Sequence, residues 1–252
     1  MVTESVASYR QFSGSLLPEI ADRHAWIDEP VTRACEYFHS MPFFGFIRKM
    51  ESHREFKPIA MELYHYAVAF PKVMGLMLGL VSYSESYMTP IYAEQIYGQR
   101  ANHRLLFDWM IKTRLVSGAE ELNRYIPGVE TNACINFAYQ LAIEQDRDKW
   151  LAAVGFGFER CNRDLFSMVA PKMYELGADH TCFDKYDGVA DVKVLDYLND
   201  NLDSRRRKII LSKVLEGITL WAAMLHSWIG IATMPMFDLD GRVIRRASLD
   251  CH

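Results

Sequence analysis

Gly217-Ile-Thr-Leu-Trp-Ala-Ala-Met-Leu-His-Ser-Trp-Ile-Gly-Ile-Ala-Thr-Met-Pro-Met236 runs for 20 residues with no charge except the one His226 carries when protonated. That is close to the length of a bilayer-spanning helix. Trp221, His226, Ser227 and Trp228 sit in its middle, where a lipid-facing helix favours Leu or Ile. The approach from Arg205 to Glu216 keeps the same helical period at ordinary polarity, so the whole of Ser204 to Ile231 reads as a buried helix. Tyr66 to Tyr83 is also apolar, but Pro71 and Lys72 interrupt it, and it takes the same reading. No membrane is expected as a partner.

Outward from this helix, apolar residues recur at spacings of three and four in most long windows, with no sustained alternation of period two. The chain reads as all-α. Further helices are expected at Glu29 to His39, Phe43 to Ser52, Lys57 to Leu80, Ser84 to Gly98, Arg100 to Thr113, Gly118 to Asn123, Gly128 to Gln145, Asp148 to Tyr174 and Ala190 to Leu202. Breaks fall at Pro18, Pro42, Gly98, Pro127, Gln145 to Asp148, Gly177 and Pro235. The short linkers imply one helical domain over 29–236, an N-terminal extension over 1–28, and a loose polar tail over 237–252.

With 252 residues, 50% hydrophobic and 24% charged, the chain has material for a large core. The 28 Lys and Arg against 32 Asp and Glu leave a net charge of -4 without a basic stripe, which argues against nucleic acid as a partner. Cys35, Cys134, Cys161, Cys182 and Cys251 are odd in number and never paired as C-x-x-C, which argues against a disulfide framework. A start without a basic, then apolar, leader adds to that, and a reducing, cytoplasmic setting is expected.

Two E-x-x-H pairs, Glu36 with His39 and Glu62 with His65, put a carboxylate and an imidazole on one helical face, the spacing used in ferritin-like bundles. The two pairs lie too close in sequence for the extra carboxylate helix such bundles need. They read instead as surface or hydrogen-bonded core histidines. Glu159 is more informative: it ends the run Ala152-Ala-Val-Gly-Phe-Gly-Phe158, and a carboxylate buried there needs a metal ion or a cation. Otherwise it points outward or pairs with Arg160 or Arg163. Glu94 and His103 flank the Gly98 break, and Asp187 and Asp191 lie one helical turn apart.

In order, His39-Ser-Met-Pro-Phe-Phe, Leu63-Tyr-His-Tyr-Ala-Val-Ala-Phe-Pro, Glu94 with Gly98, His103-Arg-Leu-Leu-Phe, Glu159, Phe183 and Asp187-Gly-Val-Ala-Asp191-Val-Lys-Val194 resemble the heme-oxygenase-like diiron oxidases and oxygenases. The layout is similar to pyrroloquinoline quinone synthase and, more distantly, thiaminase II, and spans roughly Tyr37 to Thr233. The resemblance implies a heme-oxygenase-like seven-helix bundle. In diiron members the ligands are a Glu, a His soon after, a Glu on the next long helix and a late H-x-x-x-D-x-x-H motif. Matched residue by residue, that implies Glu94, His103, Glu159 and Asp191, with Asp187 and Val194 standing where the late histidines belong. A second register, His180-x-x-x-Asp184-x-x-Asp187, restores one histidine but puts Phe183 out of step.

The resemblance then implies an iron- and dioxygen-dependent oxidase or oxygenase acting on a small amino-acid-derived or similar substrate. One or two irons are held by Glu94, His103, Glu159, Asp187 and Asp191, and Asp187 is a substituted ligand or a proton acceptor. Such a carboxylate-rich shell also suits manganese or magnesium. The alternatives are a metal-free quinone-synthase-like oxidase working by carboxylate and His103 acid-base chemistry, and a non-catalytic helical binding protein with a decayed site. A homodimer is a further expectation. Tyr64, Tyr66, Tyr83, Tyr87, Tyr92, Tyr97, Trp221, Trp228, Met74, Met77 and Met224 are core or the wall of an apolar pocket, with His226 a pocket candidate. The basic runs Arg205 to Lys208 and Arg242 to Arg246 read as solvated surface.

Overall fold

The computed structural model describes residues 18–99, 101–183, 194–199 and 201–248. The helices are α1 (Pro18–His39), α2 (Pro42–Lys49), α3 (Lys57–Gly79), α4 (Thr89–Gln99), α5 (Asn102–Lys112), α6 (Ala119–Arg124), α7 (Val129–Glu144), α8 (Arg147–Trp150), α9 (Glu159–Glu175) and α10 (Ser204–Ser227). Leu151–Phe158 between α8 and α9 is π-helical, so 147–175 is one rod that widens in its middle. With that rod counted once, α1, α3, α4, α5, α7 and α10 complete a bundle of seven long helices among the described residues. The all-α expectation holds for the bundle.

Local chemistry sets the helix starts. Ser52 and Glu55 form a reciprocal capping box on the 3₁₀ turn His53–Phe56 that leads into α3. Asp146 accepts from the Lys149 backbone N–H at 3.2 Å to start the rod, and Asp203 accepts from that of Arg206 at 2.7 Å to start α10. The apolar window of α10 is 72% buried inside the fold, because the helix packs against the π-helical segment, α7 and α1. Its Trp221 is edge-on to Tyr66 at 5.2 Å and to Phe158 at 6.1 Å, and Phe158 also meets Phe137 at 5.9 Å. Gly217 makes this approach possible: a Cβ there would lie 2.8 Å from the Phe158 ring and 3.2 Å from that of Phe137.

Three expectations are corrected. The first helix begins at Pro18, so residue 29 is no boundary. The stretch expected to be helical to Leu202 turns after Leu195: Asn199 spends its backbone N–H on Asp148 and its side chain on the backbone N–H of Asn201, which competes with helix. As far as Ser248 the tail is not loose either. β1 (Thr233–Phe237) and β2 (Val243–Ser248) pair antiparallel, with a bulge between Met236 and Phe237. The Asp238 carboxylate accepts the backbone N–H groups of Asp240 and Arg242, and Gly241 turns at φ 76°. This hairpin clasps α1: Arg33 donates to the Asp240 carbonyl at 2.6 Å, and Phe237 packs on Tyr37.

Candidate functional site

Glu159 is the first residue of α9, half-buried where the wholly buried Leu151–Phe158 segment gives way to α-helix. π-helical turns inside α-helices recur at functional sites because they re-aim side chains that an α-helix fixes. Arg160 donates to Asp28 at 2.9 Å and Thr32 at 3.0 Å on α1, and Arg163 lies 3.8 Å from Asp164. Glu159 accepts from the Gln99 amide at 3.1 Å, and the Gln99 carbonyl accepts from Asn102. The α4–α5 break expected at Gly98 thus delivers a relay of neutral amides to the carboxylate.

His103, one residue beyond Asn102, is half-buried, and its Nδ1 is buried without a hydrogen-bond partner among the described residues. An imidazole nitrogen in that state is short of a proton acceptor or a cation. Glu94 departs from its expected place: it is exposed, and five residues before Gln99 it lies about 140° away around α4. Gln99, not Glu94, is the α4 residue that bonds Glu159. The resemblance could not signal this, because a neutral amide at a helix end carries no metal-ligand signature.

Asp187, Asp191 and Asp184 lie outside the described residues. Val194 is buried in the core, and His180 packs edge-on against Tyr174 at 5.2 Å. Among the described residues no group of three or more His, Cys, Asp or Glu side chains is placed to hold a metal ion. Of the expected set, Glu159 and His103 are the partly buried donors described, and a carboxylate beside an imidazole-bearing helix with an unpartnered ring nitrogen is a donor chemistry that fits iron.

The other candidates resolve into structure. Glu36 is exposed, and His39 pairs with Asp164 at 3.1 Å, which raises the His39 pKa. Glu62 is buried and accepts from Tyr125 at 2.6 Å, the Gly128 backbone at 2.9 Å and Thr131 at 2.6 Å, while His65 stacks on Tyr125 and is lowered in pKa by burial. His226 is buried and bonds the Thr233 hydroxyl at 2.7 Å, tying α10 to β1. Tyr66, Tyr92, Trp221, Trp228, Met74, Met77 and Met224 are core, but Tyr83, Tyr87 and Tyr97 are exposed and line no interior wall. The basic run at 205–208 is only partly solvated: Arg206 bonds Asp146, and Arg207 lies over Trp26. Sequence reasoning missed an open groove of about 550 Å³ lined by Glu85, Glu144, Asp146, Arg147, Asp148 and Arg206, whose charges largely satisfy one another.

Residues 57–187, just over half of the chain, match the family described as iron-containing redox enzyme. The fold is similar to that of a TenA homologue from Pseudomonas syringae pv. tomato, with a TM-score of 0.68 at 11% identity over 86% of this chain and 99% of that one. It is also similar to a domain of unknown function with a heme oxygenase-like fold from Shewanella denitrificans, with a TM-score of 0.67 at 12% identity over 80% and 90% of the two chains. Among curated proteins none matches the sequence.

Proposed function

The chain belongs to the family of iron-containing redox enzymes, and from that premise we propose that it oxidises a small organic substrate with dioxygen, using iron held by Glu159, His103 and the carboxylates Asp187 and Asp191. The observation that carries this reading is Glu159: a half-buried carboxylate at the end of an apolar π-helical segment, bonded by Gln99. Ferrous iron, when bound, supplies the electrons that dioxygen needs. The rest of the chemistry belongs to the protein. Gln99 fixes the plane of the Glu159 carboxylate, and Asn102 fixes Gln99 in turn. Phe158, buried beside Glu159, and Trp221 behind it exclude water from that side. Asp187, where it does not hold the ion, takes the proton released from the substrate.

The test is a ferrous-iron titration of anaerobically prepared apoprotein, comparing the parent with Glu159→Ala, His103→Ala and Asp187→Ala. One or two irons retained by the parent and lost in Glu159→Ala and His103→Ala supports the reading. No uptake by a folded parent overturns it, and turnover in chelator would put metal-free acid-base chemistry in its place. Gln99→Leu is expected to retain iron more weakly without losing it, since Gln99 orients a ligand.

A further inference from the structure

The water-facing side of a surface helix is ordinarily marked by charged residues. α1 exposes Glu29 and Glu36, and α5 exposes Arg104, Asp108 and Lys112. α7 departs from this pattern: no residue from 131 to 143 is charged, yet Val129, Asn132, Asn136, Gln140 and Ile143 are all exposed. Val129 is 79% and Ile143 63% exposed, and Ile126, 85% exposed, lies just before the helix starts. At 100° per residue the five fall within roughly 80° of arc, so they form one strip about 21 Å long. α7 is flanked by α3 and α10. On the α10 side Lys213 lies over the Phe137 ring at 5.8 Å and pairs with Glu216 at 2.8 Å, which puts charge at the border of the strip rather than on it. An uncharged centre inside a polar rim is the make-up of a protein–protein interface.

The strip is also its own complement. Its spacings of three, four, four and three are the same read from either end, with Asn136 in the middle. A twofold axis through Asn136, at right angles to α7, sets two copies of the helix antiparallel and brings together residues equally distant from Asn136. We propose that this strip is the isologous interface of a homodimer. Val129 meets Ile143 of the partner subunit, apolar against apolar. Half-buried Ala133 meets Tyr139 of the partner subunit, a small side chain under a large ring. Asn132 spends its amide N–H groups on the Pro127 carbonyl at 3.2 Å and the Gly128 carbonyl at 3.1 Å, so its own side-chain carbonyl is left to accept. Gln140 gives one amide N–H to Glu144 at 3.0 Å, and its second donates to Asn132 of the partner subunit. The two Asn136 amides meet on the axis and exchange one N–H each. α7, about 24 Å long, and a helix about 10 Å away on either side span roughly 700 Å², close to the ~800 Å² that each partner gives to a stable interface.

The position on the axis supplies the test. Asn136→Glu sets two carboxylates face to face, and Asn136→Lys two ammonium groups, whereas a mixture of the two variants sets one of each. Sedimentation velocity on the full-length protein is expected to show the parent at twice the chain mass. Each variant alone is expected to associate at least about tenfold more weakly and to run as a monomer. Their equimolar mixture is expected to return to the dimer. Glu36→Lys, a charge change on the exposed face of α1, is expected to leave the dimer intact. Glu and Lys are better helix formers than Asn at this exposed site, and circular dichroism checks that both variants fold. A parent that stays monomeric at about 100 μM overturns the proposal. So does a dimer that survives both Asn136 substitutions, or two monomeric variants that fail to associate when mixed.

Discussion

Truncating Glu62 tests whether the second E-x-x-H pair serves stability rather than chemistry. Its carboxylate is 6% exposed and accepts three hydrogen bonds, from the Tyr125 hydroxyl, the Gly128 backbone and the Thr131 hydroxyl. The network extends to α10, since the Trp228 indole donates to Thr131 at 2.9 Å. Hydrogen bonds to a charged acceptor contribute roughly 1.5–3 kcal/mol each, but three to one group do not add in full. Half-buried Tyr125 also regains water when its acceptor is lost. Glu62→Ala is therefore expected to cost about 3–5 kcal/mol, less than the sum of three such bonds. Glu62→Gln, which keeps one acceptor and turns an amide N–H toward a donor, is expected to cost about 1–3 kcal/mol. Urea unfolding followed by circular dichroism and tryptophan fluorescence measures both. Glu62→Ala within about 1 kcal/mol of the parent would refute the reasoning, because the three donors would then have found equal partners in water.

Further expectations follow from the same contacts. Gly217→Ala gains about 1 kcal/mol of helix propensity but drives a methyl into Phe158, which Phe137 and Trp221 hold in place; a net loss of about 1–2 kcal/mol is expected in the same unfolding assay. Gly241→Ala places a Cβ 1.9 Å from the Pro30 carbonyl at a positive φ, so the hairpin should lift off α1 and become the first site cut in limited proteolysis. The His39–Asp164 pair raises the His39 pKa, so its stabilisation is full below the ordinary histidine value of 6.5 and fades as pH rises through the raised value. The parent's advantage in melting temperature over His39→Gln should shrink from pH 5 to pH 8. It should be small throughout, because His39 is half exposed and screened. His65 titrates in the opposite sense but is common to both proteins and cancels in the difference.

The helices were legible because their apolar spacing and their Pro and Gly breaks act locally. The hairpin was not: β1 is five residues with Pro235 in its centre, and its partner is a charged strand that shows no alternation, although Asp240-Gly241 is a turn signal. Glu159 stood out as a lone carboxylate after an apolar run, and its half-burial fits that reading. The π-helical winding was invisible for the same reason the run was conspicuous, since eight consecutive buried apolar residues carry no phase to measure. Gln99 gave no warning, and the bonds from Arg160 on α9 to Asp28 and Thr32 on α1 join residues more than a hundred positions apart.

The widened turn before Glu159 also governs how the rod tolerates changes in length. In a plain α-helix, removing one residue rotates everything beyond it by about 100°. A π-helical stretch already accommodates an extra residue in a wider turn, so a single deletion within Leu151–Phe158 is absorbed by tightening to α-helix. Glu159 then keeps its bearing toward Gln99, and Arg160 and Asp164 keep theirs toward α1. The same deletion placed just after Glu159 has no slack to draw on and swings the contacts of α9 with α1 out of register while leaving the carboxylate where it was.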